Sequence, residues 1–203
     1  MLHYLEGKDM TNQNAIFTTI GASNHSSGDR QEHDYYATPP SAVEDLLSKE
    51  DFNKNIWEPA CGGGHISELL KSKGYNVKST DLIDRGYSGI NELSDFLKSN
   101  EKDLDTDIIT NPPYSKALEF VEKSLSSIKD GCKVAMLLKL TFLEGQKRRK
   151  MFDDNPPARI HVYSKRMGCY KNGDFDTYES SAVCYAWFVW EKGNKNLPVI
   201  DWI

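Results

Sequence analysis

Apolar residues recur along this chain at two spacings, and the change from one to the other marks its elements. Four stretches read as short strands: Asn55-Ile56-Trp57-Glu58, Tyr75 to Asp81, Asp107 to Thr110 and Lys133 to Leu140. The last is apolar on both faces, as parallel strands inside an α/β sheet are. Between them the spacing becomes helical. Val43, Leu46 and Leu47 form a stripe from Ser41 to Ser48, opened by the capping-box pair Ser41 and Glu44. Ile66, Leu69 and Leu70 form a second stripe that stops at Gly74, and Ala117, Leu118, Val121, Leu125 and Ile128 a third, from Ser115 to Asp130 with Gly131 closing it. A loop and a short helix carrying Leu93, Phe96 and Leu97 are expected between Asp84 and Asn100. This alternation predicts an α/β fold with a mostly parallel, doubly wound sheet and right-handed crossovers. Farther on, Glu144 to Phe152 reads as a short basic helix. Arg159 to Tyr163 and Ser181 to Trp190 read as strands that make an antiparallel C-terminal edge, with Trp187, Phe188 and Trp190 as sheet core. The tail from Glu191 carries no usable period.

Composition and charge narrow the picture. A chain of 203 residues holds one domain of this kind, here residues 34–203, and the first 33 residues, polar and without period, are expected to form a mobile arm. Apolar runs such as Ala182 to Trp190 are far too short to span a bilayer, and Met1 to Met10 lacks an apolar signal region, so a cytoplasmic protein is expected. Four cysteines, Cys61, Cys132, Cys169 and Cys184, have no pairing or zinc-ligand spacing, which points to a reducing compartment and no structural metal. Net charge is −5, against a general grip on nucleic acid. Locally the balance reverses: between Gly131 and Gly173, Lys133, Lys139, Lys147, Arg148, Arg149, Lys150, Arg159, Lys165, Arg166 and Lys171 face only Glu144, Asp153 and Asp154, enough for one basic face.

Chemistry concentrates at strand ends. The tetrapeptide Asn111-Pro112-Pro113-Tyr114 follows the apolar strand Asp107 to Thr110. Two prolines cannot extend a hydrogen-bond ladder, so backbone carbonyls are held beside an amide side chain and a flat ring. Acceptors plus a stacking surface suit a planar amine. Upstream, Glu58-Pro59-Ala60-Cys61-Gly62-Gly63-Gly64 joins a strand to a helix, a turn whose glycines let backbone approach a ligand. Asp81 stands at the end of the next strand, about twenty residues on, where a carboxylate takes a ribose diol in such folds. Asp95 and Phe96 offer an acceptor and an edge to a purine.

Taken together with Tyr35-Tyr36-Ala37-Thr38-Pro39, these motifs resemble the S-adenosylmethionine-dependent amino methyltransferases, above all the DNA adenine-N6 enzymes and the small stand-alone members common in bacteriophages and prophages. The resemblance covers about Asp34 to Leu140. It implies a class I methyltransferase fold, S-adenosylmethionine as cofactor and DNA as partner. It also implies site residues: Asn111, Pro112, Pro113 and Tyr114 for catalysis, and Tyr36, Thr38, Pro39, Glu58, Ala60, Cys61, Gly62, Gly64, Asp81, Leu82, Asp95, Phe96 and Asn111 around the cofactor. A later aromatic that closes the far side of the base would be Tyr163 or Tyr170.

Three alternatives stay open at this level. The same tetrapeptide suits an rRNA base amine or a protein glutamine amide, and a non-catalytic binding module could keep the fold. Larger relatives carry a separate target-recognition domain, whereas here the spare sequence is the arm and the loop Arg166 to Glu179. Target specificity is therefore short, borrowed from a partner or supplied by a dimer.

Overall fold

The structure, a computed structural model, describes residues 36–165, 167, 170–171 (backbone only) and 183–203. All of these lie in the unit His33–Ile203, and the expected arm lies outside the described residues. Along the chain come β1 (Tyr36–Ala37), α1 (Pro40–Lys49), β2 (Asn55–Glu58), α2 (His65–Ser72), β3 (Asn76–Asp81), β4 (Glu92–Leu93) and β5 (Asp107–Thr110). They are followed by α3 (Ala117–Ser127), β6 (Lys133–Lys139), α4 (Gln146–Asp154), β7 (Arg159–Val162), β8 (Tyr170–Lys171), β9 (Tyr185–Glu191) and β10 (Val199–Trp202).

Eight of these strands form one sheet in the order β10-β7-β9-β6-β5-β2-β3-β4. All neighbours are parallel except at β9, which runs antiparallel to both β6 and β7. The antiparallel strand is thus present, but inside the sheet and not at its edge. The edge is β10, from the tail that carries no pattern: Val199, Ile200 and Trp202 are exposed, so the strand has no apolar face to betray it.

Side-chain alternation explains why the sheet is covered on both sides. In β6, Val134, Met136 and Leu138 pack with α3 residues Val121 and Leu125 and with Met151 of α4. Their neighbours Ala135 and Leu137 pack on the other face with Val43 and Leu46 of α1 and Ile66 and Leu70 of α2. In β9, Phe188 and Trp190 take the first face and Trp187 the second, all fully buried. Burying each such side chain contributes about 1.5–3 kcal/mol, so the strand that sequence marks most strongly is also the sheet's anchor.

Local deviations have local causes. The first helix does not use a capping box: its N-cap is Pro39, with Pro40 in the first turn, where a missing N–H costs nothing. The stretch between Asp84 and Asn100 gives the two-residue β4 and a 3₁₀ turn, Phe96–Lys98, in place of a loop and α-helix, because Asp95 caps that turn through Leu97 N–H and Phe96 plugs the core.

Order along the sheet reverses between β2 and β5. From β2 the chain winds outward through β3 to β4, then crosses back to β5 and β6. A crevice outside the carboxyl ends of β2 and β5 is where ligands bind in such sheets. The glycine turn and the Asn-Pro-Pro-Tyr turn both start there.

Candidate active site

The glycine turn leaves β2 through Pro59 and Ala60 and is pinned to β3. Cys61 N–H donates to Thr80 C=O at 3.0 Å, and Gly62 N–H donates to the Asp81 carboxylate at 2.8 Å. Gly62 and Gly64 hold φ of 53° and 82°, a region that disfavours side chains. Space matters too. A Cβ on Gly64 would collide with the ring of Tyr87, whose loop folds back over the turn. Tyr87 is tethered in turn by its hydroxyl, which donates to Glu68 and accepts from Lys71 Nζ at 2.8 Å.

Asp81 is the carboxylate that organises this turn. One oxygen accepts from Gly62 and the other from Ile83 N–H at 2.9 Å, so it acts as a clamp on the loop. Beside it Leu82 leaves 63% of its surface exposed, an apolar side chain at the crevice. Asp95 accepts from Leu97 N–H at 3.1 Å and pairs with Lys98 at 3.0 Å. Phe96 departs from expectation: its ring is 3% exposed and packs edge-on against Trp57 at 5.0 Å, so only its backbone faces any purine.

Glu58 lies under the turn, 1% exposed. It accepts from Ser67 Oγ, which is linked to Ser79 Oγ at 2.6 Å. Burial pushes its carboxyl well above the ordinary range; the Ser67 bonds oppose this, and the Asp81 charge adds to it. The same burial, with the Glu58 and Asp81 carboxyls nearby, pushes the Cys61 thiol up to about 12. Glu58 therefore ties the end of β2 to α2, and through Ser67 to β3, beneath the turn.

Across the crevice, Asn111 is oriented by two acceptors. Its Nδ2 donates to Tyr36 C=O and to Thr38 Oγ1, both at 3.1 Å. A backbone carbonyl can only accept, so the amide nitrogen faces β1 and Oδ1 faces away. That Oδ1 is buried and, among the described residues, has no hydrogen-bond partner. Thr38 thus serves Asn111 through its side chain, and the Pro39 carbonyl accepts the α1 amide of Ala42 at 3.0 Å.

Tyr114 opens a 3₁₀ turn after Pro113, whose carbonyl accepts from Lys116 N–H at 2.8 Å. Its ring lies 6.0 Å from that of Tyr36, inclined by 24°, and 6.0 Å from that of Tyr185. Lys139 Nζ sits 4.7 Å from the centre of the same ring. Tyr36 therefore joins the Tyr114 cluster. Sequence reasoning overlooks Tyr87, Tyr185 and Lys139 as neighbours of these turns. Only register supplies the signal, since Lys139 and Tyr185 are partners across β6 and β9.

The later aromatics divide. Tyr163 is tied into the α1 face, its hydroxyl donating to Ala42 C=O and accepting from Trp187 Nε1, each at 3.2 Å. The side chain of Tyr170 lies outside the described residues, as does Tyr35, but β8 pairs with β1 and puts residue 170 opposite Ala37. Five described cations of the basic stretch do not share one face. Lys133 and Arg159 turn to Glu50 at the amino ends of the strands, Arg148 folds back on Glu144 C=O and Phe142, and Arg149 and Lys150 pair with Asp153 and Asp154 on the surface of α4.

No family model matches the chain, and no curated protein matches its sequence. Solved structures do match its fold. A protein assigned as a class I S-adenosylmethionine-dependent methyltransferase from Listeria monocytogenes is 14% identical, with 94% of this chain and 71% of that one aligned at a TM-score of 0.57. A protein assigned as an RNA methyltransferase from Pyrococcus horikoshii is 14% identical, covering 89% and 98% at 0.58. The modification subunit assigned to a type I restriction enzyme of Vibrio vulnificus is 12% identical, covering 97% and 52% at 0.54. The chain has the class I methyltransferase fold. Among the described residues, no helix is long and apolar enough to cross a membrane.

Proposed function

We propose that this protein transfers a methyl group from S-adenosylmethionine to the exocyclic N6 amine of adenine in DNA, with residues 34–203 as its catalytic domain. The observation that carries this reading is Asn111 Oδ1, an oriented, buried and unpartnered acceptor at the switch point of the sheet. Leaving such a group unpaired costs about 1–3 kcal/mol. A planar amine donates what it lacks.

The residues around the crevice fit the cofactor. Gly62 to Gly64, with Ala60 and Cys61, give close backbone for its methionyl part, Asp81 has lone pairs left for ribose hydroxyls, and exposed Leu82 offers an apolar face to adenine. Asp95 and the backbone of Phe96 meet the purine edge. When bound, the cofactor supplies an electrophilic methyl on a sulfonium.

The chain's own work is on the amine, a poor nucleophile because its lone pair spreads into the ring. Asn111 Oδ1 accepts one N–H and the Pro112 carbonyl the other, which localises the lone pair toward the methyl. Positive charge then grows where acceptors already point, so little reorganisation is needed. Tyr114 stacks on the base and holds it in line. The base leaves a duplex to reach this site.

Incubation with labelled cofactor and DNA, RNA or a protein mixture, followed by digestion, tests the reading. Label is expected in N6-methyladenine from DNA. Label in an rRNA base or in glutamine replaces the substrate, and label in no polymer ends the enzyme reading in favour of a binding module.

A further inference from the structure

Lys139 differs from the five partnered cations of the basic stretch, and from Lys147 and Lys165 in being half-buried where they are exposed. Lys133 and Arg159 meet Glu50, Arg148 meets backbone carbonyls, and Arg149 and Lys150 meet acids one helical turn away. Lys139 is half-buried at the end of β6, and among the described residues its ammonium has no carboxylate partner. It rests on the ring of Tyr114 instead, 4.7 Å from the centroid.

Two facts make this placement informative. An ammonium on an aromatic face is held weakly enough for a stronger partner to take it. And a base that stacks on Tyr114 competes for that same ring. The reaction also delivers positive charge onto the amine beside Tyr114, so a bare ammonium there opposes it unless an anion meets its charge.

We infer that Lys139 is the contact for the backbone phosphate of the extruded nucleotide: it rests on the Tyr114 ring and moves to the phosphodiester when the base enters. This rests on the methyl-transfer reading and deepens it, because it assigns the amine to a nucleic acid and not to a protein amide. The contact is a point charge, so it selects no sequence.

The experiment uses the full chain, with Lys139→Met and Lys139→Arg, on adenine-containing duplex DNA, single-stranded DNA and RNA oligonucleotides. Binding is followed by fluorescence anisotropy from 50 to 200 mM salt, beside transfer kinetics. Losing one phosphate contact lowers the slope of log affinity against log salt by about 0.7–0.9. Lys139→Met should show that change, a KM raised about 5- to 10-fold with kcat nearly kept, and an unaltered melting temperature; Lys139→Arg should restore slope and KM. An unchanged slope and KM in Lys139→Met overturns the inference while wild-type transfer to the oligonucleotide leaves the reading standing. Transfer confined to protein, or no salt-dependent oligonucleotide binding at all, overturns the inference and moves the reading to its alternative. Wild-type binding without transfer strikes the reading alone, and the slope still decides Lys139.

Discussion

At the amino ends of β6 and β7, Glu50 is buried among partners; at the carboxyl ends of β2 and β5, Glu58 and Asn111 are enclosed as well but are given few. Glu50 is 6% exposed and accepts from Arg159 at 2.9 Å, Lys133 at 3.0 Å and His161 Nε2 at 3.0 Å. Burial alone would raise its carboxyl, yet the bonds from His161, Arg159 and Lys133 outweigh it and hold the group at about 2. Glu58, eight residues on, has the Ser67 hydroxyl where Glu50 has cations, and burial wins. One end of the sheet closes its carboxylate on cations, with His161 Nδ1 left without a hydrogen bond. The other end, among the described residues, leaves Asn111 Oδ1 unmet, Leu82 exposed and Lys139 without a counter-ion, so its polar groups face the crevice and not each other.

That contrast breaks first at Asn111. Asn111→Ala is expected to lower kcat by roughly 10²–10³, as loss of an oriented group at the developing charge does. Cofactor affinity by calorimetry should barely move, while the unfolding midpoint should fall slightly, because the Nδ2 bonds to Tyr36 C=O and Thr38 Oγ1 are lost with the side chain. Transfer that survives the substitution would mean the acceptor is not where the amine sits. Glu50→Gln should do the reverse: a loss of about 3 kcal/mol in urea unfolding with kcat of the folded fraction kept. This is the low end for a broken buried pair, because Arg159 and Lys133 are partly exposed and can reach water.

The two glutamates also predict opposite slopes with pH. A carboxyl held at about 2 in the fold and near 4.5 when unfolded contributes fully above that unfolded value. Its contribution is lost as pH falls toward 2, so the gap between wild type and Glu50→Gln should close in acid. Glu58 keeps its proton in the fold and releases it on unfolding. Wild type therefore loses ground as pH rises past the unfolded value of 4.5, and Glu58→Gln should gain relative stability with rising pH. Unfolding free energies of both variants from pH 3 to 8 check this. Parallel trends would show that Glu58 is charged in the fold.

What was legible in the chain follows the same division. Strands β2, β3, β5 and β6, their helices and the turns after them are written in local spacing, and the residues of the open end lie inside those turns. The closed end is made by distance in sequence: Glu50 ends a helix like any surface glutamate, and only folding brings Arg159, Lys133 and His161 to it. The same holds for β10, whose residues are exposed, and for β9, whose apolar run marks a strand but not its place between β6 and β7. Lys139 was one base among ten because charge counts carry no direction. In sequence the pair Asp95-Phe96 looks the same whether its ring turns to a ligand or, as here, to Trp57.

The smallest effect expected is at Cys61, and it separates burial from function inside the open end. A thiol at about 12 is almost wholly protonated at neutral pH, so alkylating reagents should leave Cys61 untouched in the folded protein over times that consume exposed Cys184. Peptide mapping after brief treatment reads this directly. The result matters because Cys61 sits in the glycine turn: if that turn were loose, its thiol would reach solvent and react. Protection of Cys61 without cofactor would mean that Asp81, Thr80 and Glu58 hold the turn preformed, and that the cofactor's binding energy is not spent on ordering it. Protection that appears only with cofactor would put Glu58 and Asp81 on the opposite side of the comparison, as groups that order the loop only once a ligand joins them.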